Sequence, residues 1–197
     1  MRALRHGNRA ATWNGGSGER GQGLVEFALV IPIFVTLLMG VIEFGFLYNN
    51  LLTVQYAARQ GVSAAAQAGG VDGADCSILN AVEHALTPPI SHQRVEFVEI
   101  FRSDSAGDVA RDPTTNKAVL NRYTRVGTLD CPGTGTQPYT LSGTEDYPQI
   151  GRHDALVEGL DVIGVRIGYQ YVGMTPVAFG RTWDLTDGAT LRMEPKQ

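Results

Sequence analysis

Residues placed for metal, redox or nucleotide chemistry are scarce in this chain of 197 residues. There are only two cysteines, Cys76 and Cys131, and no Cys-x-x-Cys pair; His84, His92 and His153 have no close companion at metal-ligand spacing. Asp104, Asp108 and Asp112 recur in a polar stretch, but not in the D-x-D-x-D-G order of a calcium loop, so a solvated loop is the expectation there. Neither a G-x-S-x-G elbow nor a phosphate-binding glycine loop is present. The expectation is a non-enzyme without cofactor or metal, although a triad assembled from distant residues has no local signature and stays open. With a net charge of -4, and with the one basic cluster lying ahead of an apolar run where it reads as a topology signal, nucleic acid is not an expected partner.

Charge is missing in a second, more informative place. From Leu24 to Tyr48 the chain reads LVEFALVIPIFVTLLMGVIEFGFLY, with no charged side chain between Glu26 and Glu43. At about 1.5 Å of rise per helical residue this run crosses a hydrocarbon core of roughly 30 Å. Before it lie Arg2, Arg5, Arg9 and Arg20 against the single acid Glu19, and the first basic residue after it is Arg59. The positive-inside bias therefore places residues 1–20 in the cytoplasm and the bulk of the chain outside it. A secretory signal would end in a small-residue site just after a short apolar core, whereas the A-x-A pattern Ala66-Gln67-Ala68 lies far beyond the run. An uncleaved anchor remains open on composition alone.

Two acids break the apolar character of the run. Glu26 stands in its leading turn, where an ionised carboxylate deep in lipid would cost about 2.5–3.5 kcal/mol; such a residue lies near an interface or has a partner. Glu43 stands near the outer end, where reaching the headgroups is expected ahead of pairing within the membrane. Pro32 predicts a bend in the helix or a compliant point, its freed carbonyl being tolerable in a membrane helix.

The residues ahead of the span carry a resemblance. Gly21-Gln22-Gly23-Leu24-Val25-Glu26-Phe27 resembles the type IV prepilin processing motif, a Gly followed by four residues, then Glu and an aromatic. With the basic leader, the span, the AARQGVSAAA extension and the terminal TLRMEP, the chain is similar to TadE-like minor pilins and pseudopilins of the tight-adherence (Tad/Flp) type IV pilus system. The resemblance covers roughly the first third of the chain and its last few residues. It implies cleavage after Gly21 by a prepilin peptidase, leaving Gln22 as the first mature residue and Glu26 as the fifth. Glu26 would then be the assembly residue, neutralising the terminal ammonium of a neighbouring subunit. The partners implied are the prepilin peptidase, major and other minor pilins, the membrane and, indirectly, the Tad platform proteins and secretion ATPase. Gly23 departs from the pattern, since glycine costs roughly 1 kcal/mol inside a helix.

Beyond the span, Leu47, Leu51, Val54, Ala58, Val62 and Ala65 recur at intervals of three and four, which continues one helix to about Ala68, with Gly69-Gly70 as the stop. Ala57, Gly61 and Ala65 make a row of small residues that fits close approach either to this protein's own sheet or to other pilins. Asp75–Leu86 has a helical pattern. Strands are expected at Arg94–Arg102, Val119–Val126, Leu160–Val172 and Thr186–Met193, the last two pairing antiparallel. Ser103–Asn116 is expected as a loop and Thr128–Gly151 as irregular chain.

The fold expected is α+β: a long N-terminal transmembrane helix extending into a pilin-like head with a small antiparallel β-sheet. The expected divisions are a basic leader at 1–21, the transmembrane and extended helix at 22–70, and an exported head at 71–197. In an oxidising compartment Cys76 and Cys131 make either one disulfide closing a long loop or two free thiols. Three function classes stand in order: a Tad-type minor pilin or pseudopilin, an unprocessed single-pass anchored binding or scaffold protein, and a tethered hydrolase.

Overall fold

The computed structural model describes residues 19–133, 135–155, 159–176 and 178–195, with side chains from Gly21 onward. The leader arginines Arg2, Arg5 and Arg9 lie outside the described residues. The chain folds as a mixed α+β structure, a long apolar helix followed by a small antiparallel-sheet domain.

Helix α1 runs from Glu19 to Ala68 without interruption through Pro32, whose carbonyl accepts a hydrogen bond from Thr36 Oγ1 at 2.8 Å. It stops where glycine permits a left-handed turn: Gly69 has φ 67° and its N–H closes the last turn on the Ala65 carbonyl. Gly70 follows for a steric reason, because a Cβ there would lie 2.8 Å from the Arg152 carbonyl oxygen. Helix α2 spans Ala74–Ala85 and packs its apolar stripe, Ile78, Leu79 and Val82, into the core.

The main sheet is built from β1 (Val95–Arg102), β2 (Leu120–Thr124), β5 (Thr140–Leu141), β6 (Val162–Val172) and β7 (Thr182–Arg192), in the order β5-β2-β1-β6-β7 and antiparallel throughout. A separate hairpin pairs β3 (Leu129–Cys131) with β4 (Gly135–Gln137). The stretch expected to be irregular, Thr128–Gly151, thus supplies three short strands, too brief and too polar to show a period of two. The last strand also begins earlier than Thr186, because backbone pairing with β6 runs on through Trp183 to Thr182.

Alternation along β6 sends Ile163, Val165, Ile167, Tyr169 and Tyr171 inward, where they meet Val54, Ala57, Ala58, Val62 and Ala65 of α1. The row of small residues is spent on this protein's own head: a Cβ on Gly61 would come within 2.7 Å of Val82 and 3.1 Å of Val165. On the opposite face, Phe101 and Phe97 lie over Gly164 and Gly168, where an added Cβ would approach each ring to 2.2 Å. Arg122 and Arg166 stack on those two rings, and both donate to Glu99, at 3.2 and 3.3 Å.

Candidate processing and assembly site

The motif residues sit at the start of α1 on a bare surface. Gly21, Gln22, Glu26 and Phe27 are all exposed, and Gln22 Nε2 donates to Glu26 Oε1 at 3.2 Å, the i,i+4 spacing of one helix face. Nothing lies within 4 Å of a Cβ built on Gly21 or Gly23, so packing does not demand glycine at either place. What the two glycines do supply is a helix end that unwinds cheaply, at about 1 kcal/mol less per residue than alanine. The bond between Gly21 and Gln22 lies inside α1.

From Leu24 to Ile42 the apolar side chains of α1 are exposed on every side, apart from the half-buried Met39. A helix apolar all round and uncovered by protein is suited to lipid, and this stretch of roughly 28 Å matches a hydrocarbon core. By length and composition α1 is able to cross a membrane, which points to single-pass anchoring.

Glu43 ends that stretch, and beyond the expectation of a place near the headgroups it has partners in this protein's own head. Tyr171 Oη donates to its Oε1 at 2.5 Å, the Thr175 N–H to its Oε2 at 2.8 Å, and the Met174 N–H lies 3.2 Å from both oxygens. A phenol and two successive backbone amides thus hold a buried carboxylate, which removes most of the cost of desolvating it. Sequence inspection had no means of finding these donors, which lie 128 to 132 residues away.

The head has its own buried polar centre. Asp75 and Arg152 are in contact at 2.5 Å with side-chain exposures of 1% and 0%. Asp75 Oδ2 also accepts from Tyr123 Oη at 2.7 Å and Asn121 Nδ2 at 2.9 Å, while the Arg152 guanidinium stacks on the Tyr147 ring. This network ties the first turn of α2 to β2 and to the chain before β6. Nearby, Glu83 accepts from Arg125, from Tyr139 Oη at 2.6 Å and pairs with His92 Nδ1 at 2.9 Å. Burial pushes the Glu83 carboxyl up, but the hydrogen bonds from Arg125, Tyr139 and His92 outweigh burial and hold it below the usual carboxylate range.

Cys76 of α2 and Cys131 of β3 are joined, with Cα atoms 5.5 Å apart, so the small hairpin is fastened to α2. The histidines of the head stay dispersed: His84 is exposed on α2, His92 faces Glu83, and His153 faces Asp161 at 3.6 Å. Among the described residues no group of three or more His, Cys, Asp or Glu side chains is placed to hold a metal ion. Asp104 and Asp112 instead accept N–H groups of their own turns, from Ala106 and Asp108 and from Thr114 and Thr115. The terminal TLRMEP segment closes the far end of α1, with Met193 buried and the Glu194 N–H donating to the Ala66 carbonyl at 3.1 Å.

Comparison with known proteins places a family on one part of this geometry. The model of the TadE-like protein family matches residues 21–69, which is α1 from the Gly21 motif to the glycine that ends the helix. Neither a curated protein nor a solved structure matches the chain significantly.

Proposed function

With a TadE-like α1 as premise, we propose that this protein is a minor pilin or pseudopilin of a Tad-type pilus, cut after Gly21 by a prepilin peptidase and assembled through the helix so released. The TadE-like match supports a role related to the Tad pilus and of minor-pilin kind. Such a role is structural rather than enzymatic. The observation that supports the finer reading is the contrast within α1: Glu26 and the Leu24–Leu38 surface stand clear of the head, while the helix from Glu43 onward is engaged by it.

The mechanism follows from charge. The cut leaves an ammonium on Gln22 beside an apolar surface, and Glu26 is an exposed carboxylate that this protein's own head does not neutralise. An ammonium and a carboxylate from adjacent subunits offset each other's cost in a medium of low polarity and set the axial register between helices. The arginines before the span orient the chain with its start in the cytoplasm, where the peptidase acts, and the head outside. The peptidase, major and other minor pilins, and through them the platform proteins and secretion ATPase, are the partners.

Mass spectrometry of the full chain co-expressed with a matching prepilin peptidase is expected to find Gln22 as the new terminus. An intact Met1 terminus under efficient processing would overturn the proposal and favour an unprocessed anchor. Gly21→Ala is expected to block the cut. Glu26→Ala is expected to spare cleavage but reduce recovery in sheared pili, and undiminished incorporation would refute the role given to Glu26.

A further inference from the structure

The turn joining β6 to β7, Gly173–Arg181, meets α1 where its exposed stretch ends. Strand β6 runs antiparallel to α1, since Val165 lies against Gly61 while Tyr171 lies against Glu43. The turn after β6 is therefore the part of the head directed toward the span. Met174 and Thr175 grip Glu43 through their N–H groups, and Ala178 shares with Gly40, one helical turn nearer the span, a cleft of about 270 Å³. Described residues of the turn bond to one another: the Ala178 N–H donates to the Thr175 carbonyl, the Arg181 N–H to the Ala178 carbonyl, and the Gly173 N–H to the Arg181 carbonyl.

Its outward side chains suit neither water nor a core. Phe179 is 82% exposed and Met174 57%, and across the cleft Phe44 is 66% exposed. Residues 173–181 contain no acid and one cation, Arg181. A single exposed apolar residue is ordinary. Here, however, two apolar residues, an arginine and the neighbouring Trp183 are fixed at the level where the exposed helix surface begins, and aromatic and basic residues are favoured at a lipid headgroup boundary.

We propose that this turn is a second membrane contact. Phe179 and Met174 enter the interfacial layer of the leaflet from which α1 emerges, and Arg181 lies among the phosphates. The head is then seated on the bilayer at two points, the span and the turn, instead of hanging from one helix. The inference rests on α1 spanning the bilayer, and its test separates the two claims.

Full-length chains carrying Phe179→Cys, Ile150→Cys or Leu37→Cys, with Cys76–Cys131 left oxidised, are labelled with an environment-sensitive fluorophore. They are placed in nanodiscs of phosphatidylethanolamine and phosphatidylglycerol doped with lipid bearing a nitroxide near the headgroup or near the chain end. Ile150 is 78% exposed and adjoins Gln149, which bonds to Asp75 at the far end of the head, so it reports on water. The expected result is a blue shift at 179, with quenching chiefly by the headgroup-level nitroxide. Quenching by the chain-end nitroxide is expected at 37, and none at 150. A label at 179 that matches 150 while 37 is quenched overturns the membrane contact and leaves the span intact. Loss of quenching at 37 overturns the span and the proposal together. A blue shift at 179 that persists in detergent and grows with protein concentration assigns the turn to a second copy and also overturns the proposal.

Discussion

Before Glu43, α1 turns leucine, isoleucine, valine and phenylalanine outward on all sides; after it, the same helix turns alanine, valine and glycine into a core shared with α2 and β6. The two halves also treat their acids differently. Glu26 reaches only its helix neighbour Gln22 among the described contacts, whereas Glu43 is enclosed by three donors from the head. One continuous helix is thus split between a surface suited to lipid and a surface packed in protein. Bulky side chains serve the first, which needs only apolar surface, and small ones serve the second, which needs close approach.

Substitutions test that division in graded fashion. The largest effect is expected at Arg152, because Arg152→Ala leaves Asp75 charged and buried. A loss of about 3–5 kcal/mol in head stability is expected in denaturant titrations of detergent-solubilised protein, and a loss below about 1 kcal/mol would mean that Asp75 finds another partner or a proton. Next comes a matched pair of glycines in α1. Gly61→Val meets Val82 and Val165 and is expected to cost about 1–3 kcal/mol. Gly40→Val has nothing within 4 Å of its Cβ and is expected to leave head stability within about 0.5 kcal/mol. Equal costs at the two sites would erase the boundary between the halves.

Glu43→Ala strands the Met174 and Thr175 amides and the Tyr171 hydroxyl, for an expected loss of about 1–3 kcal/mol together with faster amide exchange in the turn after β6. Acidification probes the Glu83 cluster of the head. Because the folded carboxyl of Glu83 titrates below its unfolded value, its contribution is complete above the unfolded pKa and disappears as pH falls through the folded one. Thermal melts are therefore expected to fall on the acid side of about pH 4.5, and Glu83→Gln to flatten that fall. The smallest effect is reserved for Glu26→Gln, which is expected to leave the melt within about 0.5 kcal/mol of the parent while changing assembly. A large shift would show that Glu26 belongs to the head after all.

Legibility in the sequence followed the range of the interactions. The span, the helix continuing to Ala68, the glycine stop and the long β6 were readable because each depends on neighbours a few residues away. The pairing of β6 with β7 was readable in part, since both strands carry enough bulk to show alternation. The hairpin of β3 and β4 and the short β5 were not, for two or three residues have no measurable period and their pairing is set by distant partners. The candidate site divided in the same way. Gly21, Gln22, Glu26 and Phe27 fall within seven consecutive residues, so the pattern, though not its role, shows in the sequence, while the enclosure of Glu43 depends on a turn more than a hundred residues downstream. Asp75 and Arg152 likewise stand 77 residues apart, with no local pattern to join them, and only the fold brings them together.

The antiparallel course of β6 beside α1 bears on how the molecule carries load. A pull along the helix axis is transmitted to the head in shear, parallel to the interface formed by Val54, Ala58, Val62 and Ala65 with the inward side chains of β6. In that geometry the contacts resist together, whereas a pull across the interface would peel them apart one after another. The Glu43 enclosure stands at the end where tension from the span arrives, like a rivet at the edge of a lap joint. A helix drawn axially through a bilayer would carry its head along as a single rigid load.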